Sequence, residues 1–370
     1  MWIAHAVTLL MHAPLLLGTT LLFGAPVATA LCVVLFVVTS VRLQMLMREG
    51  RRSRWETMLV DLPVFVHWSS CLLAFVFFPV LTAGAFVVRA VLGSGWGAFH
   101  VVGGAGLAAY GAAFLVAAYG SSLRRHWVRV VHVDVPIVGL SPELDGYRIA
   151  QMSDLHIGNF DTKRRGLAWA AQVSRLEPDL VAVTGDLVTT GSAFYEDVAE
   201  VIGAVRARDG VFVSLGNHDQ WNPDELTRQI EARGPVVLRN RWQAVRRGDA
   251  ELVVAGLDDR WAGKDDLETT LARRPERAPT VLLSHYPDFF EAAARRRVDL
   301  VLSGHTHGGQ IAVPFMARRA SLSTLARQAR HGLHLKGTSR LYVNAGLGTT
   351  GPPFRLGIPP EITVFVLRST

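Results

Sequence analysis

Hydrophobic positions follow different patterns in the two parts of the chain. Up to about residue 120, long apolar runs are interrupted by few charges, and beyond it short apolar runs alternate with charged, helix-like segments. A membrane span needs about 20 apolar residues at a rise of 1.5 Å each. Four stretches are long enough: 3–23, 25–41 (extending to 47), 62–88 and 96–119. The pattern predicts a transmembrane helical domain of about four spans over residues 1–120.

The first stretch, 3–23, contains His5 and His12, so it either spans the membrane or lies at its interface. A removable signal peptide is a poor alternative, because the stretch has no basic start and a second apolar segment follows almost at once. Farther along the chain, His67 and His100 lie near the ends of the third and fourth stretches. We interpret them as interface residues or as hydrogen-bond partners of a neighbouring helix.

Basic residues in the connections between the stretches predict the orientation. Arginines are concentrated between the second and third stretches and after the fourth: Arg42, Arg48, Arg51, Arg52 and Arg54, then Arg124, Arg125 and Arg129. The other connections carry only Arg89. The positive-inside rule then predicts that the N-terminus and the C-terminal part face the cytoplasm, as in a bacterial-type inner membrane. Four spans return the chain to its starting side, which agrees, whereas losing one span would reverse this parity.

Residues after about 128 show the alternation of an α/β domain. β-rich runs lie at 128–138, 147–152, 180–184, 211–215, 252–257, 281–284, 300–303, 341–344 and 362–367. Helical patterns lie at 163–176, 193–207, 224–232, 265–272 and 289–296. We predict a linker with the first strand over 121–144 and a catalytic domain over 145–370.

Charge and cysteine content exclude some classes of function. Residues 1–127 carry eight Arg or Lys and three Asp or Glu, which leaves 30 basic and 28 acidic residues for the rest of the chain. A near-neutral globular part disfavours a nucleic-acid partner, which needs a basic face. The two cysteines, Cys32 and Cys71, lie in apolar runs, so neither a disulfide framework nor a cysteine-based zinc site is predicted.

Polar residues follow five of the predicted strands directly. The segments are Ser153-Asp154-Leu155-His156, Gly185-Asp186, Gly216-Asn217-His218-Asp219, His285 and Gly304-His305-Thr306-His307. Each segment alone is weak evidence, because such residues also occur in turns. Loops at the carboxyl ends of strands converge in α/β proteins, so the five together predict one ligand-binding site.

These segments resemble the signature of the calcineurin-like metallophosphoesterase superfamily, D-x-H, GD, GNH[DE], H and GHxH, over roughly residues 145–367. The flanks 149–156, 308–310 and 359–362 are similar to those of membrane-associated bacterial phosphodiesterases related to UDP-2,3-diacylglucosamine pyrophosphatases. The resemblance implies a four-layer α/β (α+β) sandwich with two mixed sheets flanked by helices.

The resemblance also implies a pair of divalent metal ions. One would bind Asp154, His156, Asp186 and His307, and the other Asp186, Asn217, His285 and His305, so Asp186 would bridge them. Imidazole and carboxylate ligands suit Mn²⁺, Zn²⁺ or Fe. Two such ions can activate a water and clamp the attacking and leaving oxygens of an in-line displacement.

His218 is assigned a catalytic role beside the metals, either stabilising the pentacoordinate phosphorus or protonating the leaving oxygen. Asp219 is assigned the orientation of His218, and a turn or helix-capping role is weighed almost equally.

Substrate contacts are predicted in two loops. Asp258, Asp259 and Trp261 follow one strand and would border the site, unless they form a simple solvated turn. Arg355 lies in a Gly- and Pro-rich loop and would contact a second phosphate. A basic segment at 315–331 would lie on an anionic membrane surface or form a solvated helix or loop.

The leading hypothesis is therefore a membrane-anchored hydrolase of a phosphodiester or pyrophosphate bond, with the lipid bilayer as its surroundings and a lipid-linked or nucleotide-linked phosphoester as substrate. The alternatives are a phosphatase or phosphodiesterase for soluble nucleotides or phosphoproteins, and a membrane sensor with a phosphoesterase effector domain. The sequence does not predict an oligomeric state.

Overall fold

A computed structural model describes residues 2–46, 50–93, 97–312 and 330–370. The chain divides into two compact units, one of residues 1–48, 52–124 and 352–354 and the other of residues 49–51, 125–351 and 355–370. The predicted domain boundaries at residues 120 and 144 stay a prediction. The predicted span ends at 47 and 96, and most of the basic segment 315–331, lie outside the described residues.

The first unit is helical. Its helices are α1 (Trp2–Met11), α2 (Ala13–Phe23), α3 (Ala25–Leu46), α4 (Leu62–Leu92) and α5 (Ala98–Ser122). A single turn (Arg54–Glu56) and a π-helical segment (Thr57–Asp61) lead into α4. Three helices of the described chain are long and apolar enough to cross a membrane, and the pair α1 and α2, bent by 42°, makes a fourth if it is one span.

Small residues bring α2 and α5 together. A Cβ added at Gly106 on α5 would collide with the backbone carbonyl of Pro14 on α2, and a Cβ at Gly103 would lie 3.0 Å from Leu21. Glycines at such positions allow close backbone approach between membrane helices. Pro14 also lacks the amide that would continue the hydrogen-bond ladder of α1, which accounts for the break before α2.

The second unit contains two six-stranded mixed sheets. The strands are β1 (Arg129–Ile137), β2 (Arg148–Met152), β3 (Leu180–Thr184), β4 (Val211–Ser214), β5 (Val236–Val237), β6 (Arg241–Arg247), β7 (Ala250–Gly256), β8 (Thr280–Leu283), β9 (Leu300–Ser303), β10 (Gly332–Lys336), β11 (Ser339–Val343) and β12 (Glu361–Ser369). The first sheet has the order β1-β12-β2-β3-β4-β5 and the second β10-β11-β9-β8-β7-β6. Strands β2 to β5 run parallel, as do β7, β8, β9 and β11.

Helices cover the outer faces of both sheets. They are α6 (Lys163–Ser174), α7 (Tyr195–Gly203), α8 (Pro223–Glu231), α9 (Leu267–Leu271) and α10 (Phe290–Arg295). One apolar core joins the first sheet to α6–α8, a second joins the two sheets, and a third joins the second sheet to α9 and α10. The predicted four-layer sandwich is confirmed.

The sequence analysis did not predict three strands of the described chain: β5, β6 and β10. All three lie at sheet edges. Edge strands bury fewer side chains, and natural edges carry charged residues that discourage pairing with other chains. Strand β6, with the sequence RWQAVRR, therefore lacks the apolar run by which the inner strands were found.

Candidate metal centre

The loops that follow five parallel strands hold all seven predicted metal ligands. From the first sheet, β2 is followed by Asp154 and His156, β3 by Asp186 and β4 by Asn217; from the second, β8 is followed by His285 and β9 by His305 and His307. The ladder of the first sheet continues into this region, because the amides of Asp154 and His156 donate to the carbonyls of Gly185 and Asp186, each at 3.0 Å.

One group of side chains comprises Asp154, His156, Asp186 and His307, all buried, with one potential ligand atom from each lying within 4.8 Å of the others. His307 Nε2 lies 3.2 Å from Asp154 Oδ1 and 3.0 Å from His156 Nε2. His156 Nε2 lies 3.6 Å from Asp186 Oδ2. The set is the same as that predicted for one of the two metals.

A second group contains Asp186, His285 and His305 within the same distance limit. His285 Nε2 lies 3.2 Å from Asp186 Oδ2. Asn217 belongs to the same region, since Tyr286 packs against the His305 ring with a centroid distance of 4.4 Å and donates to Asn217 Oδ1 at 3.0 Å. Asp186 is thus shared by both groups.

The donor atoms fit divalent cations. Nδ1 of His285 donates to the carbonyl of Thr184 at 2.9 Å, so neutral His285 presents the lone pair of Nε2 to the Asp186 carboxylate. Two acceptors that face each other in a buried site need a cation or a proton between them. Nε2 of His285, Nδ1 of His156 and Oδ2 of Asp154 are also buried without a hydrogen-bond partner in the described chain.

Protonation states point the same way. Burial lowers the pKa of His156 to about 3 and that of His305 to about 4, which keeps both imidazoles neutral at pH 7. Burial alone would lower the pKa of His285, but the neighbouring Asp186 carboxylate raises it to about 10. Neutral imidazole is the form that binds metals, so His156 and His305 are in that form, whereas His285 carries a proton beside Asp186 that a bound cation would replace.

The backbone at the site adopts a conformation that side chains other than glycine rarely take. Asp154, His156, Asp186, His305 and His307 have φ between 45° and 67°. Such left-handed residues store strain and cluster at functional sites. Gly304 precedes one of them, and a Cβ there would collide with the Asp154 carboxylate, so only glycine lets these loops approach so closely.

His218 and Asp219 have separate partners. The His218 amide donates to Asp186 Oδ1 at 2.9 Å, its ring centroid lies 4.7 Å from that of His156, and its Nδ1 donates to the Thr189 carbonyl at 2.5 Å. The Asp219 carboxylate accepts from the amides of Leu187, Val188 and Gly216. The carbonyl of Thr189 therefore orients His218, and the contacts of Asp219 are those of the capping role.

Comparison with known proteins identifies the family. Residues 147–309 match calcineurin-like phosphoesterases. The uncharacterized metallophosphoesterase YkuE of Bacillus subtilis is 32% identical over 68% of this chain and 90% of its own length. This chain belongs to the calcineurin-like metallophosphoesterase family.

A metallophosphoesterase is a metal-dependent hydrolase of phosphoric esters, and relatives of this one include membrane proteins. A transmembrane protein with metallophosphoesterase domain from Danio rerio is 30% identical over 69% of this chain, which spans 60% of that relative. Among solved structures, the phosphopantetheinyl hydrolase PptH of Mycobacterium tuberculosis has a TM-score of 0.37 and 13% identity, covering 56% of this chain and 91% of that one. The finer likeness to UDP-2,3-diacylglucosamine pyrophosphatases stays a prediction.

Arg355 of this metallophosphoesterase is not the substrate contact that the sequence analysis expected. Its side chain is fully buried, and its guanidinium donates to the carbonyls of Gly346 at 3.1 Å and Gly348 at 2.6 Å. It also lies 3.4 Å from His307 Nδ1. Burial lowers the pKa of Arg355 to about 9. Its donors are occupied by the loop that it holds together, so a substrate phosphate cannot reach them without displacing that loop.

The other predicted substrate contacts differ in exposure. Asp259 is buried, and its carboxylate accepts from the amide of Ala262 at 2.7 Å, which closes a turn. Asp258 is also buried and pairs with Arg239 at 2.8 Å, so neither forms a solvated turn. Trp261 is 76% exposed, with its ring centroid 6.5 Å from that of His305. Only Trp261 of the three offers an open surface beside the site.

Tyr286 is a site residue that the sequence analysis missed. It contacts His285, His305 and Asn217, and it is only 4% exposed. Its position directly after His285 was the available signal. In the sequence, a tyrosine at that place is read as part of the apolar end of β8. Its role is evident only in the folded chain, where the loops after β4 and β9 lie beside it.

Proposed function

We propose that this protein hydrolyses a phosphodiester or pyrophosphate bond at the site centred on Asp186, in a lipid-linked or nucleotide-linked substrate. One observation carries the proposal: two groups of oxygen and nitrogen donors, one fully buried and the other partly exposed at His305, share a single carboxylate. A shared carboxylate offsets the repulsion between neighbouring cations, so the arrangement suits a pair of ions better than one ion.

Asp154, His156, Asp186 and His307 would hold one divalent ion, and Asp186, Asn217, His285 and His305 the other, with Mn²⁺, Zn²⁺ and Fe as the candidates. When bound, the pair supplies Lewis-acid polarisation of the phosphoryl oxygens and a lowered pKa for an attacking water. The remaining chemistry belongs to the side chains around them.

His218 is the proposed proton donor to the leaving oxygen. Its Nδ1–H is held by the Thr189 carbonyl, so Nε2 is the nitrogen that can exchange a proton with a substrate. Its backbone amide is held by Asp186, which fixes the imidazole relative to the shared carboxylate. A positioned general acid of this kind contributes about 10²- to 10⁴-fold to the rate.

The membrane helices support a lipid-linked substrate. A catalytic unit attached to a bilayer meets lipid headgroups at a high effective concentration. The exposed Trp261 provides an apolar surface next to His305, where the non-phosphate part of a substrate would lie. We also propose the cytoplasmic face of a bacterial-type inner membrane as the location, on the arginine distribution.

A substrate panel tests the proposal. Full-length protein in detergent, stripped with chelator and reloaded with Mn²⁺, is assayed on an aryl phosphodiester, nucleotide diphosphates, sugar–nucleotide pyrophosphates, lipid phosphoesters and phosphopeptides. We expect chelation to abolish hydrolysis and a lipid-linked or nucleotide-linked diester or pyrophosphate to give the highest kcat/KM. A preference for free nucleoside diphosphates or phosphopeptides would favour the alternative enzyme, and no metal-dependent hydrolysis of any phosphoester would overturn the proposal.

A further inference from the structure

The helical unit contains a buried polar group at the point where its first apolar segment breaks. His12 lies between α1 and α2, which are bent by 42°, and it is 2% exposed. Ionisable residues inside membrane helices are costly and are usually functional. Breaks in such helices are tolerated where neighbouring groups satisfy the freed polar atoms.

Two residues of α4 lie against His12. His67 Nε2 is 3.1 Å from His12 Nε2, and Cys71, one helical turn beyond His67, has its Sγ 3.7 Å from His67 Nε2. Donor atoms of all three residues lie within 4.8 Å of one another, and each residue is buried. The sequence analysis predicted no cysteine-based zinc site, because both cysteines lie in apolar runs. His12 and Cys71 are 59 residues apart, so no sequence motif links them.

Hydrogen bonds orient the two imidazoles. Nδ1 of His12 donates to the Thr8 carbonyl at 2.7 Å, so neutral His12 presents the lone pair of Nε2 to His67. Nδ1 of His67 lies 2.7 Å from the hydroxyl of Tyr110, which can accept from it. With the Tyr110 hydroxyl as acceptor, each imidazole has an outer partner and leaves Nε2 available, the arrangement that metal-binding histidines use.

Two of the three donor separations are close to those around a shared ion, and the third lies within 4.8 Å. With Zn–N bonds of about 2.05 Å and a Zn–S bond of about 2.3 Å, tetrahedral angles place two nitrogens about 3.3 Å apart and a nitrogen and a sulfur about 3.6 Å apart. The observed separations are 3.1 Å and 3.7 Å. A simple proton shared between His12 and His67 would account for the first distance but gives Cys71 no role.

We propose that His12, His67 and Cys71 form a second metal site, separate from the phosphoesterase centre, that binds a thiophilic transition-metal ion, Zn²⁺ or Cu⁺. Two imidazoles and a thiolate are soft to borderline ligands, unlike the carboxylate-rich set around Asp186. A bound ion would fix the broken first segment to α4.

Cobalt substitution tests the site without relying on activity. Full-length protein in detergent is titrated anaerobically with Co²⁺, and the thiolate-to-cobalt charge-transfer band in the near ultraviolet is recorded. The phosphoesterase centre has no cysteine ligand and cannot give this band. Because the phosphoesterase centre can also take up Co²⁺, we expect the band to appear and to saturate within about three equivalents, and Zn²⁺ or Cu⁺ to abolish it by displacement, with the stronger competitor identifying the preferred ion.

The chain supplies a matched control, because it has only two cysteines. Cys71→Ser and His67→Ala should lose the band, while Cys32→Ser, also buried in the helical unit, should keep it. Unchanged circular dichroism and unchanged hydrolysis of a soluble aryl phosphodiester by Cys71→Ser would show that the variant is folded. A wild-type protein without the band, a band that depends on Cys32, or a band that neither ion displaces would overturn the proposal.

Discussion

In the phosphoesterase unit, the imidazoles of His156, His285 and His307 each have Nε2 within 3.2–3.6 Å of a carboxylate oxygen. In the helical unit, the imidazoles of His12 and His67 face each other and a thiol instead. Both groups are buried, so the difference lies in the charge of their neighbours. Carboxylates would allow the site around Asp186 to hold two divalent ions, whereas the site in the helical unit, with one thiolate at most, would balance the charge of only one ion.

The largest expected effect comes from removing the carboxylate that the first group shares. Asp186→Asn keeps the shape of the side chain but removes its negative charge, so two neighbouring cations would repel without compensation. We expect hydrolysis to fall to the assay background and elemental analysis to show weaker retention of both metals.

Asp134→Asn, at an exposed position on β1, is the control and should behave as the wild type. Retention of substantial turnover by Asp186→Asn would remove the shared carboxylate from the mechanism.

His218→Ala tests whether His218 donates a proton during hydrolysis at the metal centre without binding a metal itself. We expect kcat to fall by about 10²- to 10⁴-fold while both metals are retained, because the imidazole supplies a proton and binds no ion. The loss should be greater for alkyl than for aryl leaving groups, since a poor leaving group depends more on protonation.

His132→Ala, exposed on β1, is the matched control. An equal loss for both classes of leaving group would assign His218 to stabilising the phosphorus centre instead, and loss of metal would make it a ligand.

Tyr286→Phe tests whether the Tyr286 hydroxyl positions Asn217, the amide ligand of the proposed metal centre. Removing the hydroxyl frees the oxygen of Asn217, and the loss of such an outer partner typically weakens metal affinity by about 10- to 100-fold. The Mn²⁺ concentration that gives half-maximal activity should therefore rise, while kcat at saturating Mn²⁺ changes less.

Tyr342→Phe removes a hydroxyl that donates to Glu361 on β12 and should leave the Mn²⁺ requirement unchanged. The same requirement in both variants would mean that Asn217 is held by other contacts.

Trp261→Ala should have the smallest effect. This side chain lies beside the proposed metal centre, near His305, and contacts no proposed proton donor. An aromatic contact contributes about 0.5–1.5 kcal/mol, which corresponds to about a 2- to 12-fold rise in KM for the preferred substrate. A small aryl phosphodiester should be hydrolysed as well as by the wild type. Equal losses on both substrates would indicate a role for Trp261 in shaping the metal centre.

The sequence by itself predicted most of the strands and helices of this protein, and its resemblance to a known family predicted the layers and the composition of one site. Inner strands such as β3 and β9 are apolar up to their last residue, and the residues after them are polar, so the hydrophobic pattern located both the strands and the loops with Asp186 and His307. The apolar runs predicted the membrane helices for the same reason. A local hydrophobic pattern is sufficient to predict a strand or a helix, because the burial of each residue there follows from its position within its own element.

Only the tertiary structure decided which side chains meet. In the folded protein Arg355 is buried under its own loop, and Tyr286 lies against Asn217. The carbonyl of Thr189, rather than Asp219, accepts the hydrogen bond that orients the His218 ring. The tertiary structure also brought His12 beside His67 and Cys71 across two helices. Such contacts depend on how elements pack, because residues far apart in the chain carry no periodic signal of their proximity.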